Sequence, residues 1–173
     1  MRVEHLAVRV IVWCLALIVL PTAAQPDTAA ASRKASAQAL RQEFFDALKQ
    51  GDAKRVLQYV PPQGINTGAR PEHVTHAEVE QQFLHHRGLY CRLFDSSCIE
   101  TSIRLDASAA SCSYRELLNH SESVRTAASE TVRSGVTQAI LVAEVKNSRC
   151  GGTRLIDFIF NREGDGWRLF SVP

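Results

Sequence analysis

The chain has 173 residues, 45% of them hydrophobic and 22% charged, with 20 basic and 18 acidic side chains for a net charge of +2. That length fits one domain with a sizeable core. The basic residues are scattered rather than striped, so the charge gives no footprint for nucleic acid and does not favour a polyanion or membrane-surface partner.

The N-terminus reads as a targeting segment. Arg2 and Arg9 make a positive start, Val10 to Leu20 is an unbroken apolar run, and Pro21-Thr22-Ala23-Ala24 supplies small residues. This is the order of a secretory signal over residues 1–24, cleaved after Ala24. The apolar run is about half the roughly 20 residues that span a bilayer, so no stable span is expected after cleavage. An uncleaved anchor is the competing reading, since Leu6 and Val8 lengthen the run. Cys14 lies inside it and goes with the discarded peptide. Removing Arg2, Arg9 and Glu4 leaves a net charge of +1. Gln25 to Ser32 is small and polar, giving a flexible leader over residues 25–34 before a single domain at 35–173. The expected location is secreted or periplasmic.

Four cysteines follow the signal: Cys91, Cys98, Cys112 and Cys150. An even number in an exported chain implies disulfides, with three possible connectivities. Cys91 with Cys98 and Cys112 with Cys150 is the pairing expected here, because the first two are close in sequence. Structural zinc, the alternative, pairs cysteines two to four residues apart, and none of these spacings does so.

In chain order, Ala35 to Gln50 repeats apolar residues at three- and four-residue steps (Ala37, Leu40, Phe44, Ala47, Leu48) and predicts a helix. Gly51 ends it and Asp52 caps a second one over Ala53 to Tyr59, stopped by Pro61-Pro62. Gln63 to His73 reads as loop with a short strand near Ile65. Thr75 and Glu78 form a capping-box pattern for a third helix. Its period continues through Val79, Phe83, Tyr90 and Phe94, so it runs on to Phe94 or breaks at Gly88. Ile99 to Leu105 reads as a short strand.

Ser113 and Glu116 form a second capping box, which makes Tyr114 to His120 a short helix. Ser123 to Arg133 reads as a continuation of that helix or as a strand. The strand is preferred because it extends the sheet. Val136 to Lys146, Thr153 to Phe160 and Trp167 to Val172 are rich in apolar and β-branched residues. Gly, Asn and Asp clusters separate them, as in an antiparallel meander. The predicted fold class is α+β: N-terminal helices packed on a curved antiparallel sheet that ends in this meander.

A helix followed by Lys49-Gln50-Gly51-Asp52 and a short second helix resembles the opening of the nuclear transport factor two-like superfamily. Gly135-Val136-Thr137-Gln138-Ala139 and Phe158-Ile159-Phe160…Gly166-Trp167-Arg168-Leu169-Phe170-Ser171-Val172 are similar to its strand and terminal hairpin patterns. The segment from Gly88 to Arg133 departs from them. The resemblance implies a cone of helices over a curved sheet, often around a cavity. It also implies kinship with ketosteroid isomerases, polyketide cyclases, transport factors and exported proteins of unknown role. Fold carries little functional weight in such a group.

Candidate chemistry is sparse. Asp157 and Glu144 interrupt otherwise apolar strands, and with an even loop they share one face of adjacent strands. Inside an apolar cavity such a carboxylate has a raised pKa and serves as general base or acid. On a solvated face it only keeps the sheet soluble, which is the commoner case. Tyr59 and Tyr90 are the candidate hydrogen-bond donors. His73, His76, His85 and His86 cluster around the third helix, with His120 further on. No acidic third ligand accompanies them, so they read as solvated surface groups and no metal is expected. No nucleophile elbow occurs, and nothing calls for a cofactor.

Three readings follow. The first is an exported, non-catalytic domain that binds a small apolar ligand or a protein partner, with a homodimer as one expected assembly. The second is an enzyme of the ketosteroid isomerase or polyketide cyclase kind, using Asp157 or Glu144 as base and Tyr59 or Tyr90 as donor. The third is a structural part of an envelope assembly. Binding and catalysis require a cavity with convergent polar groups, whereas assembly requires an exposed apolar patch.

Overall fold

The structure, a computed structural model, describes residues 36–68, 72–99 and 112–173. The expected signal, at 1–24, and leader, at 25–34, lie outside the described residues, as does most of the strand expected over Ile99 to Leu105. Ile99 itself follows a 3₁₀ turn, Ser96–Cys98, and is not in a strand.

Helix α1, Ala37–Gln50, starts where the Ser36 side chain accepts a hydrogen bond from the Ala39 amide, and ends at Gly51 with φ 73°. Ala37, Leu40, Phe44, Phe45, Ala47 and Leu48 form its buried face. The Asp52 carboxylate then accepts from the Arg55 amide and opens α2, Ala53–Leu57. This helix is shorter than expected. The Tyr59 carbonyl is taken by the Leu169 amide at 2.7 Å, so the chain leaves the helix to meet the sheet.

Strands β1, Ile65–Thr67, and β2, Glu72–Val74, form a hairpin. The second of these was not anticipated, because three residues carry no readable alternation. Gly64 precedes the hairpin at φ 92°, and a Cβ there would lie 2.1 Å from the Val74 carbonyl oxygen. Only glycine fits that crossing.

Helix α3, His76–Leu84, has both halves of the Thr75–Glu78 capping box in place. Of the two options for its end, the break occurs. His86 and Gly88 take φ of 48° and 55°, and α4, Leu89–Phe94, restarts the helical path. The Gln82 side chain accepts the Leu89 amide at 2.7 Å, so α3 supplies a cap for α4. Helix α5, Tyr114–His120, again shows a complete capping box, between Ser113 and Glu116.

Ser123–Arg133 is a strand, β3, followed by β4 (Val136–Asn147), β5 (Gly152–Glu163) and β6 (Gly166–Val172). The sheet order is β2-β1-β6-β5-β4-β3. All pairs are antiparallel except β1 with β6, which is parallel. The α+β architecture of helices on a mostly antiparallel sheet is therefore as expected. A turn with positive φ at Ser134 and Gly135 joins β3 to β4, the geometry that suits the twist of a hairpin.

The register lines up rows of side chains across the sheet. On the helix-covered face, Ala128, Leu141 and Phe158 form one row, and Ala139, Phe160 and Leu169 most of the next. Phe44 of α1 is fully buried against them, its ring 4.9 Å from Phe158, 5.0 Å from Phe160 and 5.6 Å from Tyr59. Edge-to-face rings at these spacings add to the burial of their apolar area. Helix α1 also reaches the free side of β3. Gln38 donates to the Ala128 carbonyl at 3.1 Å, Arg41 to the Thr126 carbonyl at 3.0 Å, and the Ala37 amide to the Glu130 carboxylate at 2.8 Å.

Both expected cysteine pairs are at bonding distance, Cys91 with Cys98 and Cys112 with Cys150, with Cα separations of 5.4 and 5.8 Å. The second ties the residue just before α5 to the turn between β4 and β5. Two disulfides fit an oxidising compartment such as the periplasm or the extracellular space. No helix among the described residues is long and apolar enough to cross a membrane.

Candidate functional site

The structure does not gather the four candidate residues into one site. Glu144 and Asp157 do share a face of adjacent strands, but it is the face away from the helices. The register sets Glu144 opposite Leu155, and Asp157 opposite Val142. Asp157 is exposed. Glu144 pairs with Arg125 at 2.8 Å with its side chain 42% exposed. Asp157 borders an open hollow of about 330 Å³ together with Gly68, Ile159, Ser171 and Pro173.

Tyr59 lies on the opposite side of the sheet, edge-on to Phe44 and Phe160, and its hydroxyl donates to Glu43 at 3.3 Å. Burial, together with the neighbouring Glu43 carboxylate, raises its pKa. Tyr90 stacks on His86 at 4.2 Å and joins Phe83 and Phe94 in a second aromatic cluster among α3 and α4.

The histidines are dispersed. His76 contacts the Pro61 carbonyl through Nδ1 and Glu80 through Nε2, at 3.2 and 3.3 Å, and His85 contacts Gln81. Among the described residues no group of three His, Cys, Asp or Glu is placed to hold a metal ion.

Among the described residues, one polar group clearly perturbed by the fold was missed in reading the sequence. Tyr114, at the first position of α5, donates to the Pro173 carbonyl at 2.9 Å, and Arg92 of α4 donates to the same oxygen at 3.0 Å. Burial first, and the Asp157 charge second, push the Tyr114 pKa up to about 12, while Arg92 and Arg154 pull it down. Nothing in the local pattern singles out this tyrosine, because its partner lies 59 residues away.

A tyrosine that ionises later in the folded chain than in the unfolded one binds an extra proton between the two pKa values. Its stabilising contribution is therefore full below about pH 10 and lost as pH rises toward about 12. Urea midpoints of the wild type are expected to fall across that window, by an amount worth roughly 2–3 kcal/mol. Those of Tyr114→Phe are expected to fall less.

Arg92 also lines a partly enclosed cleft. It is a space of about 240 Å³ bounded by Thr67 of β1, Glu72 and Val74 of β2, Gln82 of α3, Gly88, Leu89 and Arg92 of α4, and Cys98 and Ile99 beyond it. The α3–α4 break creates this wall. It brings Gly88 and Leu89 against β2, and the Cys91–Cys98 disulfide holds the segment after α4 in place. The cleft is continuous with a shallower groove of about 510 Å³ that adds His73, Ala77, Glu78, Gln81 and Arg87. Val74, Leu89 and Ile99 give the cleft an apolar side, and Arg92, Gln82 and Glu72 a polar one. Such a surface can hold a small molecule with one polar end. Beneath α1, by contrast, Phe44, Phe158 and Phe160 are fully buried.

No protein-family model and no curated relative matches the chain. Among solved structures it is similar to two designed nuclear transport factor two-like proteins, each at 12% identity. One is a substituted form of Rd1NTF2_05 (78% of this chain and 92% of that one, TM-score 0.43) and the other is Rd1NTF2_04 with a long sheet (79% and 97%, TM-score 0.40). It is also similar to a protein from Shewanella frigidimarina described as a candidate ketosteroid isomerase, at 12% identity over 81% of this chain and 95% of that one, with a TM-score of 0.44.

Proposed function

We propose that this is an exported, non-catalytic binding domain of the nuclear transport factor two-like kind, and that it holds a small, partly apolar carboxylate in the cleft between α3–α4 and the β1–β2 hairpin. The observation that carries the reading is the convergence of Arg92 and Gln82 with Val74, Leu89 and Ile99 in one space. A guanidinium beside an apolar wall recognises a carboxylate by charge-assisted hydrogen bonds while the wall takes the hydrocarbon. At about 240 Å³ the space is smaller than the roughly 300–1,000 Å³ of drug-sized sites, so the ligand is fragment-sized. Non-catalytic binding is supported by the placement of the candidate bases: neither Glu144 nor Asp157 is among the residues that bound the cleft, and Glu144 pairs with Arg125 instead. Export is supported by the two disulfides and by the signal-like order of residues 1–24.

The test uses hexanoate and benzoate as probes, read by amide chemical-shift changes. Both are expected to perturb Val74, Leu89 and Ile99. Arg92→Met, which keeps the length of the side chain, is expected to weaken binding at least tenfold, the effect of losing one charge-assisted hydrogen bond of about 1.5–3 kcal/mol. Absence of shifts at these residues with millimolar probe, or equal affinity in Arg92→Met, would defeat the proposal.

A further inference from the structure

The cleft that contains Arg92 opens into a longer space. Glu72, Val74, Gln82 and Gly88 border both the cleft and the shallower groove, so the two form one trough between β2 and α3. Arg92 and Leu89 border only the cleft end, whereas His73, Ala77 and Glu78 border only the groove. A fragment that fills the cleft, at about 240 Å³, does not reach the further 510 Å³ or so of the groove.

One wall of this trough is the end of the sheet. Strand β2 is outermost, with β1 as its neighbour on the inner side. The bonds of β1 fix which way the backbone of β2 faces. The Gly68 amide donates to the Val172 carbonyl of β6 at 3.0 Å. Successive residues of a strand direct their backbone groups alternately to its two sides. Thr67 and Ile65 therefore turn toward β2, where they stand opposite Glu72 and Val74. That directs the N–H and C=O of His73 outward, at an edge with which no strand pairs among the described residues.

We propose, resting on the carboxylate reading of the cleft, that the trough takes the C-terminal end of a partner polypeptide. Its terminal carboxylate sits on Arg92, and the residues before it lie along β2 as an added strand.

Charge argues for an end rather than a middle of a chain. A guanidinium carries five N–H donors in a fork that matches a carboxylate. The Pro173 carbonyl takes one of them, from Nη1 of the half-buried Arg92. A terminal carboxylate is the negative group that any polypeptide brings to such a cation, whatever its sequence. Direction follows from the lining. Thr67, opposite Glu72, borders the cleft, and Ala77, just beyond Val74, borders the groove. A chain that ends in the cleft thus runs opposite to β2 and pairs with it in the antiparallel sense. In this mode main-chain bonds supply affinity and side-chain pockets supply preference. Val74 and Leu89 beside Arg92 set that preference, for an apolar last residue.

The probe is the hexapeptide acetyl-Ala-Lys-Ala-Ser-Ala-Leu with a free C-terminal carboxylate. It is compared with its C-terminal amide and with acetyl-leucine, by calorimetric titration and by hydrogen exchange at the His73 amide. The free acid is expected to bind about tenfold more tightly than acetyl-leucine, the gain of a pair of backbone hydrogen bonds. It is expected to exceed the amide by about tenfold as well, through the lost charge-assisted contact. Only the peptide acid is expected to slow exchange at His73. His73→Pro removes the outward N–H at a strand edge, where proline is tolerated, and is expected to bind the peptide no more tightly than acetyl-leucine. Circular dichroism checks its folding, and protection of the wild-type His73 amide decides the matter without it. Equal affinity for acid and amide overturns the terminal carboxylate. A peptide acid that binds no better than acetyl-leucine and leaves His73 exchanging freely overturns the added strand, while the small-carboxylate reading stands. No binding by any of the three overturns both.

Discussion

Replacing Phe44 with alanine is expected to lower the unfolding free energy by about 3–5 kcal/mol, the range for deleting a fully buried phenyl ring. The ring has no exposed surface and touches Phe45, Tyr59, Phe158 and Phe160. The loss therefore combines the removed apolar area with a cavity that neighbours on a helix and two strands cannot readily close. Against a typical total of about 5–15 kcal/mol, this brings the domain close to unfolding. Leu155→Ala is the comparison. It removes a residue of similar hydrophobicity that is 69% exposed, and its effect is expected within about 0.5 kcal/mol. Urea denaturation of both variants checks the contrast. A Phe44→Ala midpoint near that of Leu155→Ala would contradict the packing described.

The second large effect belongs to the Cys112–Cys150 disulfide. It closes a separation of 38 residues, for which the chain-entropy model gives about 4 kcal/mol. The Cys91–Cys98 bridge closes 7 residues and gives about 2.5 kcal/mol by the same relation. Converting Cys112 and Cys150 together to serine is thus expected to cost more than converting Cys91 and Cys98, and thermal unfolding of the two double variants ranks them. The structure adds a local reason. Cys150 is buried beneath the β4–β5 turn, and Cys112 lies just before the Ser113 cap of α5. Cutting this link loosens the start of a helix as well as the end of a hairpin. The reverse ranking would contradict both the loop-length relation and the anchoring described.

Much of the fold was legible in the sequence because its signals are local. The capping boxes at Thr75–Glu78 and Ser113–Glu116, the glycine after Gln50, and the alternation of β4 to β6 each depend on residues within a few positions of one another. All of them appear in the structure. A strand near Ile65 was legible and is β1, but β2 and the parallel joining of β1 to β6 were not. Three-residue strands leave no periodicity, and the pairing of Asn66 with Ser171 spans most of the domain.

The site was less legible for a related reason. Asp157 and Glu144 stood out as charges in apolar strands, and parity correctly put them on one face. Which face points toward the helices depends on packing that alternation does not encode. Arg92 and Tyr114 were invisible as a pair, since they meet only through Pro173 at the far end of the chain.

The contacts between α1 and β3 bear on how this protein fails. An 11-residue edge strand offers a row of backbone groups to any other extended chain, the usual starting point for strand-by-strand aggregation. Here Gln38 and Arg41 occupy the carbonyls of Ala128 and Thr126, and the α1 N-terminus engages Glu130. The helix that completes the core therefore also acts as a guard on the sheet's longest edge. Partial detachment of α1 uncovers a sticky strand before the rest of the sheet has come apart. Damage to the Phe44 packing should accordingly be seen first as aggregated material rather than as a soluble unfolded chain.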